Sequence, residues 1–284
     1  MDNHMIAVVG AGTMGHGISQ VAAQHGYEVL MWDAAPGVVE RAIATIGDRL
    51  AKQVAAGKLS ESERQQTLQR LVPVTRWDDL ASASLAIEAV LEVMEVKKEV
   101  FQELDRVLPA DALLATNTSS LSITEIAKVT RRPGQVLGMH FFNPAPVMKL
   151  VELVRGEETR DDVVQRAETF ARSIGKETVV VQKDTPGFIV NRVLMPLFIE
   201  AMRILEEGIA SAEDIDKAVK LGLNHPMGPL TLADLTGLDV DLHVMDYLYD
   251  EFHDDRFAAP MVLRRLVRAG HYGRKTGRGF YRYS

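Results

Sequence analysis

Gly10-Ala11-Gly12-Thr13-Met14-Gly15 is the stretch whose reading decides the fold. It follows the apolar run Met5-Ile6-Ala7-Val8-Val9, which predicts a buried strand, and it opens a span from Thr13 to His25 that predicts a helix. In G-x-G-x-x-G so placed, the first glycine allows the tight turn and the second lets the backbone approach a pyrophosphate. The third lets helix and strand pack closely. Free N–H groups at the positive helix end then face the diphosphate. Gly26 caps the helix, Tyr27–Trp32 predicts a second strand, and Asp33 stands at its end, 18 residues past Gly15. A carboxylate there accepts the ribose hydroxyls of NAD and repels a 2′-phosphate. Ala34 and Ala35 offer no arginine for that phosphate. The expected cofactor is NAD, held by Gly10, Gly12, Thr13, Met14, Gly15 and Asp33. The competing reading is a glycine turn made only for packing.

Beyond Asp33 the pattern is helical from Pro36 to Arg70, broken near Gly57. A helical hairpin of that size is longer than a simple crossover needs, so either an arm with a function or a solvated helix pair is expected. Alternation then resumes. Strands are predicted at Leu71–Thr75, Leu85–Ala89, Ala112–Thr116, Gln135–His140, Leu150–Arg155 and Glu177–Val181, with helices at Val93–Leu108, Ile123–Val129 and Asp161–Ile174. From Phe188 onward helical periodicity runs almost throughout, with breaks at Gly208, Asn224–Pro229 and Gly237. The predicted class is α/β: a Rossmann-type, mostly parallel sheet with an inserted helical hairpin over about 36–70, followed by an all-helical C-terminal domain. The domains expected are 1–185 and 186–284.

Composition narrows the function. With 32 basic and 39 acidic side chains the net charge of the 284 residues is −7, which argues against a nucleic-acid binder held by a basic field. Apolar residues at 46% and charged residues at 25% fit an ordinary globule and not a disordered chain. Cysteine is absent, so disulfides and thiolate chemistry are excluded. No stretch approaches the roughly 20 apolar residues of a membrane span. A strand beginning at Met5 leaves no room for a signal peptide, so a cytoplasmic location without membrane contact is expected.

Seven of the eight histidines sit in tails, caps or polar helical settings. His140 instead ends a predicted strand and precedes Phe141-Phe142-Asn143-Pro144, and ligands in open α/β sheets bind beyond carboxyl ends of strands. Glu152 is the matching anomaly inside the apolar strand Leu150-Val151-Glu152-Leu153-Val154. A buried carboxylate needs a partner. A histidine on a neighbouring strand would supply one and become a general base with its tautomer fixed. A buried ion pair without chemistry, or a Glu152 facing water, stays open. Asn117 and Ser119 follow another strand end and read either as donors or as turn and cap residues. Asn191 begins the long helix after Gly187, off its polar side, and needs a partner in a ligand or in the protein. Together these residues suit removal of a proton from an alcohol while hydride leaves the same carbon. No His, Asp and Glu cluster shows metal-ligand spacing, and no metal is expected.

The motifs as a set resemble the short-chain L-3-hydroxyacyl-CoA dehydrogenase family in its bacterial stand-alone form. They are Val9–Gly15, Asn117-Thr118-Ser119-Ser120-Leu121, His140 to Glu152, Asp184-Thr185-Pro186-Gly187-Phe188-Ile189-Val190-Asn191-Arg192, Asn224–Pro229, and Gly273 to Tyr281, in the family's order across nearly the whole chain. The resemblance implies NAD-dependent, reversible oxidation of a short-chain (S)-3-hydroxyacyl-CoA, such as the 3-hydroxybutyryl thioester, to the 3-oxoacyl-CoA. It makes His140 the catalytic base, Glu152 its orienting partner, and Ser119 and Asn191 the contacts of the substrate oxygen. It places Asn143 at the nicotinamide, and Glu92, Lys97, Asn117, Ser119 and Lys275 at NAD. It implies a homodimer built largely from the helical domain. In this family the hairpin helps hold CoA, for which Lys52 and Lys58 are the lysines here; Ala55 and Ala56 stand where related sequences often carry lysine. The alternatives are an L-gulonate 3-dehydrogenase-like enzyme acting on a free sugar acid, without CoA dependence, and a non-catalytic NAD-binding protein.

Overall fold

Strand β1 (Met5–Val9) has four of its five residues buried, because both faces of the sheet around it are covered. The computed structural model describes residues 4–283 and divides after Asp184 into two units. In the first unit the other strands are β2 (Glu28–Trp32), β3 (Leu71–Pro73), β4 (Leu85–Glu88), β5 (Leu113–Thr116), β6 (Val136–Phe141), β7 (Leu150–Arg155) and β8 (Glu177–Val181). They form one sheet in the order β3-β2-β1-β4-β5-β6-β7-β8. Neighbours run parallel except β6 and β7, which are antiparallel. The mostly parallel sheet predicted from sequence is therefore present, and strand order reverses between β1 and β4. That reversal opens a crevice at the carboxyl ends of the two strands, the usual ligand position in such sheets.

Helices α1 (Thr13–Gln24), α2 (Val38–Ala55), α3 (Glu61–Gln69), α4 (Met94–Val107), α5 (Ile123–Ala127) and α6 (Asp161–Ser173) complete this unit. The hairpin of α2 and α3 is the crossover that delivers β3 parallel to β2. Its inner stripe, Val39, Ala42, Ile46 and Leu50, recurs at helical spacing and is buried in the core beside Ile18 and Val21 of α1. Ser60 starts α3 with a capping box closed by Glu63. The hairpin is thus anchored core along one side, and its turn, carrying Lys58, is exposed.

The second unit contains α7 (Val190–Glu206), α8 (Ala212–Gly222), α9 (Pro229–Thr236), α10 (Leu238–Phe252) and α11 (Met261–Arg268). Met195, Phe198, Met202, Leu230, Leu238, Met245 and Leu248 meet in its core. Helical periodicity does not carry to the end of the chain. After α11 the backbone makes isolated bridges, Gly273 to Arg278 and Arg278 to Arg282. The cause is Asp234 of α9, a buried carboxylate that accepts from the N–H groups of Phe280 and Tyr281 and from the Tyr283 hydroxyl. A β-carbon added at Gly273 would lie 2.2 Å from the Asp234 carbonyl oxygen, and one at Gly279 would lie 1.9 Å from its carboxylate. These glycines exist so that the last turn can close on that acid. Among the described residues, no helix is long and apolar enough to cross a membrane.

Candidate active site

The three glycines after β1 separate by cause. Gly10 has φ +96°, and a β-carbon there would lie 2.6 Å from the carbonyl oxygen of Ala89, at the exit of β4. At Gly15 it would lie 1.7 Å from the Gly10 carbonyl oxygen. Both are demanded by packing. Gly12 has an ordinary φ of −67°, and an added β-carbon there would meet nothing within 4 Å. Nothing in the protein requires glycine at this position, but an approaching diphosphate does. Helix α1 begins there with no side-chain cap and no acid in its first turn, so its first N–H groups are left for a ligand. Asp33 closes the same turn: its carboxylate accepts from Ala11 N–H at 2.8 Å and from Ala35 N–H at 2.9 Å. Each oxygen keeps a further lone pair for a ribose hydroxyl. The residues present fit NAD.

His140 and Glu152 are register partners in the antiparallel β6–β7 pair. Nδ1 of His140 lies 2.8 Å from Oε2 of Glu152, with the glutamate fully buried and the histidine nearly so. An Nδ1–H donating to the carboxylate leaves Nε2 with its lone pair, the arrangement of an oriented general base. Neighbouring loops hold the pair in place. Asn117 accepts the Phe141 N–H at 2.9 Å through Oδ1, joining the end of β5 to the residue after His140. The Asn143–Lys149 loop is held from below by Lys176, whose Nζ donates to the carbonyls of Ala145 and Met148 at 2.6 and 2.7 Å. Burial pushes the Lys176 ammonium below its ordinary pKa. Asn143 is on the exposed side of this loop.

A charged cluster occupies the ends of β4 and β5. Oε1 of Glu92 accepts from the Thr118 hydroxyl at 2.5 Å and from Ser119 N–H at 2.9 Å, and the Ser119 hydroxyl is 3.3 Å away. Lys97 on α4 is buried, with Nζ 3.2 Å from Glu92 and 2.8 Å from Glu88. Burial alone would raise the Glu92 carboxyl, but Lys97 and the donors at Thr118 and Ser119 outweigh it and hold it below the ordinary value. Burial pushes Glu88 up, against the pull of Lys97. Glu88, Thr116 and Thr118 escape sequence reading. Glu88 carries the same positional signal as Asp33 and His140, a polar residue closing an apolar strand, and could have been found by it.

The first unit therefore brings together the glycine turn with Asp33, the Glu92, Lys97 and Ser119 cluster, and Asn117 with the His140–Glu152 pair. Lys52 and Lys58 lie exposed on the hairpin, apart from these groups along the chain. Asn191 and Lys275 belong to the second unit. Asn191 is half-buried in the first turn of α7, after Gly187 and Phe188 at φ +71° and +50°. Lys275 donates to Asp239 at 2.7 Å.

Comparison with known proteins identifies the family. Residues 5–185 match the family profile described as the NAD binding domain of 3-hydroxyacyl-CoA dehydrogenase, and residues 187–283 match its C-terminal domain. The chain belongs to the 3-hydroxyacyl-CoA dehydrogenase family. It is accordingly an oxidoreductase with NAD as its cofactor. A 3-hydroxybutyryl-CoA dehydrogenase of Clostridioides difficile is 47% identical over 279 residues, covering 98% of this chain and 99% of that protein. The crystal structure of the (S)-3-hydroxybutyryl-CoA dehydrogenase of Ralstonia eutropha is similar with a TM-score of 0.95 at 44% identity, covering 99% of each chain. A 3-hydroxyadipyl-CoA dehydrogenase of Escherichia coli is 48% identical over 97% of this chain, which spans 58% of that longer relative.

Proposed function

We propose that the protein catalyses reversible, NAD-dependent oxidation of a short-chain (S)-3-hydroxyacyl-CoA to the 3-oxoacyl-CoA, with 3-hydroxybutyryl-CoA as the foremost substrate. The observation that carries the chemistry is the His140–Glu152 pair at 2.8 Å. Nε2 of His140 takes the proton of the C3 hydroxyl, and Glu152 stabilises the imidazolium that results. NAD, when bound, accepts the hydride that leaves the same carbon. The Ser119 hydroxyl contacts the substrate oxygen as it becomes a carbonyl, and polar groups aimed at developing charge lower the barrier. Glu92, Lys97, Asn117 and Asn143 serve the nicotinamide half of NAD, and Asp33 the adenine ribose. Asn191 and Lys275 belong to the second unit, and their roles toward substrate and NAD rest on the family motifs alone. Lys52 and Lys58 are the proposed cations for the CoA phosphates, a homodimer is the proposed assembly, and the cytoplasm is the proposed location.

The deciding experiment follows NADH oxidation with acetoacetyl-CoA, with free acetoacetate and NADPH as controls. Turnover with the thioester and NADH alone supports the proposal. Silence with acetoacetyl-CoA while NADH still binds overturns the substrate assignment and favours a free hydroxy acid.

A further inference from the structure

Three loops of the crevice are tied to one buried carboxylate. Glu88 ends β4, in register with Val9 of β1 on one side and Thr116 of β5 on the other. Its Oε1 accepts from Val90 N–H at 2.7 Å and from Lys97 Nζ at 2.8 Å, and its Oε2 accepts from the Thr116 hydroxyl at 2.7 Å. Two routes lead from there to Ser119. One runs through Lys97 to Glu92, which holds Thr118 and Ser119. The other runs through the Thr116 hydroxyl, which accepts Thr118 N–H at 3.2 Å. The β1 loop joins the same knot, because Gly10 packs against Ala89 and Val90.

A buried ion pair replaced as a whole by apolar residues of similar volume often leaves stability unchanged, because desolvating both charges is costly, so the Glu88–Lys97 pair is not needed for stability. Its use lies in fixing position. The Lys97 ammonium is drawn under the crevice by Glu88 and turns a second N–H toward Glu92, which holds the Glu92 carboxylate at the Ser119 loop. We propose that Glu88 is a positioning residue for the reaction: acting through Lys97 and Thr116, it fixes Glu92 and Ser119 and so couples NAD binding to the placement of the substrate-oxygen contact. This rests on the reading that Glu92 and Ser119 serve NAD and substrate.

The test compares Glu88→Gln, the double variant Glu88→Gln with Lys97→Met, and Ser119→Ala. Equilibrium NADH affinity is read by fluorescence, turnover with acetoacetyl-CoA, and stability by thermal unfolding. Glu88→Gln keeps the shape and withdraws the charge from Lys97. It is expected to weaken NADH binding and lower kcat, each by at least about tenfold, since small misplacements near a reacting centre are felt strongly. The double variant leaves neither position with an unpaired charge. It is expected to recover stability without recovering NADH affinity or kcat. Thr116→Val, which withdraws a partner of Glu88 and leaves Lys97 in place, carries the test should Glu88→Gln fail to fold: a severalfold lower kcat is expected there, and wild-type kcat overturns the proposal. A stable double variant with wild-type affinity and kcat overturns the proposal, because the pair would then be structural only. Ser119→Ala separates this from the underlying reading: full turnover there removes Ser119 from the site. Lost turnover in Ser119→Ala alongside an unaffected Glu88→Gln removes the role of Glu88.

Discussion

The His140 imidazole and the Glu152 carboxylate meet at 2.8 Å across the antiparallel joint between β6 and β7, as direct register partners. Their twelve-residue separation in the chain is spanned by a loop that returns the strand beside its predecessor. The ring is therefore oriented by the sheet itself, and a sheet is stiffer than any loop.

Replacing His140 by Gln is expected to lower turnover by about 10²–10⁴-fold, the usual worth of a general base, with NADH binding retained. Glu152→Gln keeps a polar partner for the ring but no charge to stabilise the imidazolium, and should cost at least about tenfold. Steady-state turnover beside fluorescence titration of NADH checks both. Near-normal turnover in either variant would take that residue out of the mechanism.

Gly12 and Gly15 should respond oppositely to alanine. At Gly12 the new methyl group meets open space, so folding is untouched while NAD affinity falls, because the diphosphate needs that space. At Gly15 the methyl group would overlap the Gly10 carbonyl, so stability falls first. Thermal unfolding and NADH titration of the two variants give the answer. A Gly12→Ala protein with wild-type affinity would remove the diphosphate from this turn.

Asp241 sets a pH dependence in the helical unit. Burial, with Asp239 and Asp234 near by, raises its carboxyl from 3.8 to about 8, while the Thr236 hydroxyl at 2.9 Å holds it in place. Between those values the folded protein keeps a proton that the unfolded chain releases. Its contribution is full below the lower value and is lost as pH rises toward the upper one, on the order of a few kcal/mol in all. Asp241→Asn should flatten that decline and leave the protein more stable than wild type at the alkaline end. Urea midpoints measured across the range that match wild type at every pH would refute this.

Lys176 is expected to govern the order of the loop between β6 and β7. Lys176→Met removes the donor from the buried Ala145 carbonyl, an expected loss of about 1–3 kcal/mol, and from the more exposed Met148 carbonyl, which water can satisfy. Hydrogen exchange over residues 141–150 should accelerate in the variant. Unchanged protection there would show that the loop is held by other contacts.

Much of the site was legible because its signals are local. A glycine turn between an apolar strand and a helix, with Asp33 closing the next strand, depends on neighbours within one βαβ unit. The hairpin of α2 and α3 was visible from its period, but not that its Val39, Ala42, Ile46 and Leu50 stripe belongs to the core. That the chain after α11 closes on Asp234 was not legible, because that carboxylate is distant in sequence. Glu88 carries a local signal as a polar residue closing an apolar strand, but what it does there was not legible, because its partners Lys97 and Thr116 become neighbours only when α4 and β5 pack against β4.

By itself the sequence determined the candidates for the chemistry: a candidate base, a candidate acid to orient it, a glycine turn suited to a diphosphate and an acid suited to a ribose. These follow from side-chain type and from short-range backbone preference. The tertiary structure decided that His140 and Glu152 face each other, that Gly12 is open while Gly10 and Gly15 are packed, and that Glu88 lies beneath the Ser119 loop. Each of those facts is a distance between groups far apart along the chain, set by strand order and direction. Strand order and direction come from the packing of the whole sheet, which no local stretch encodes.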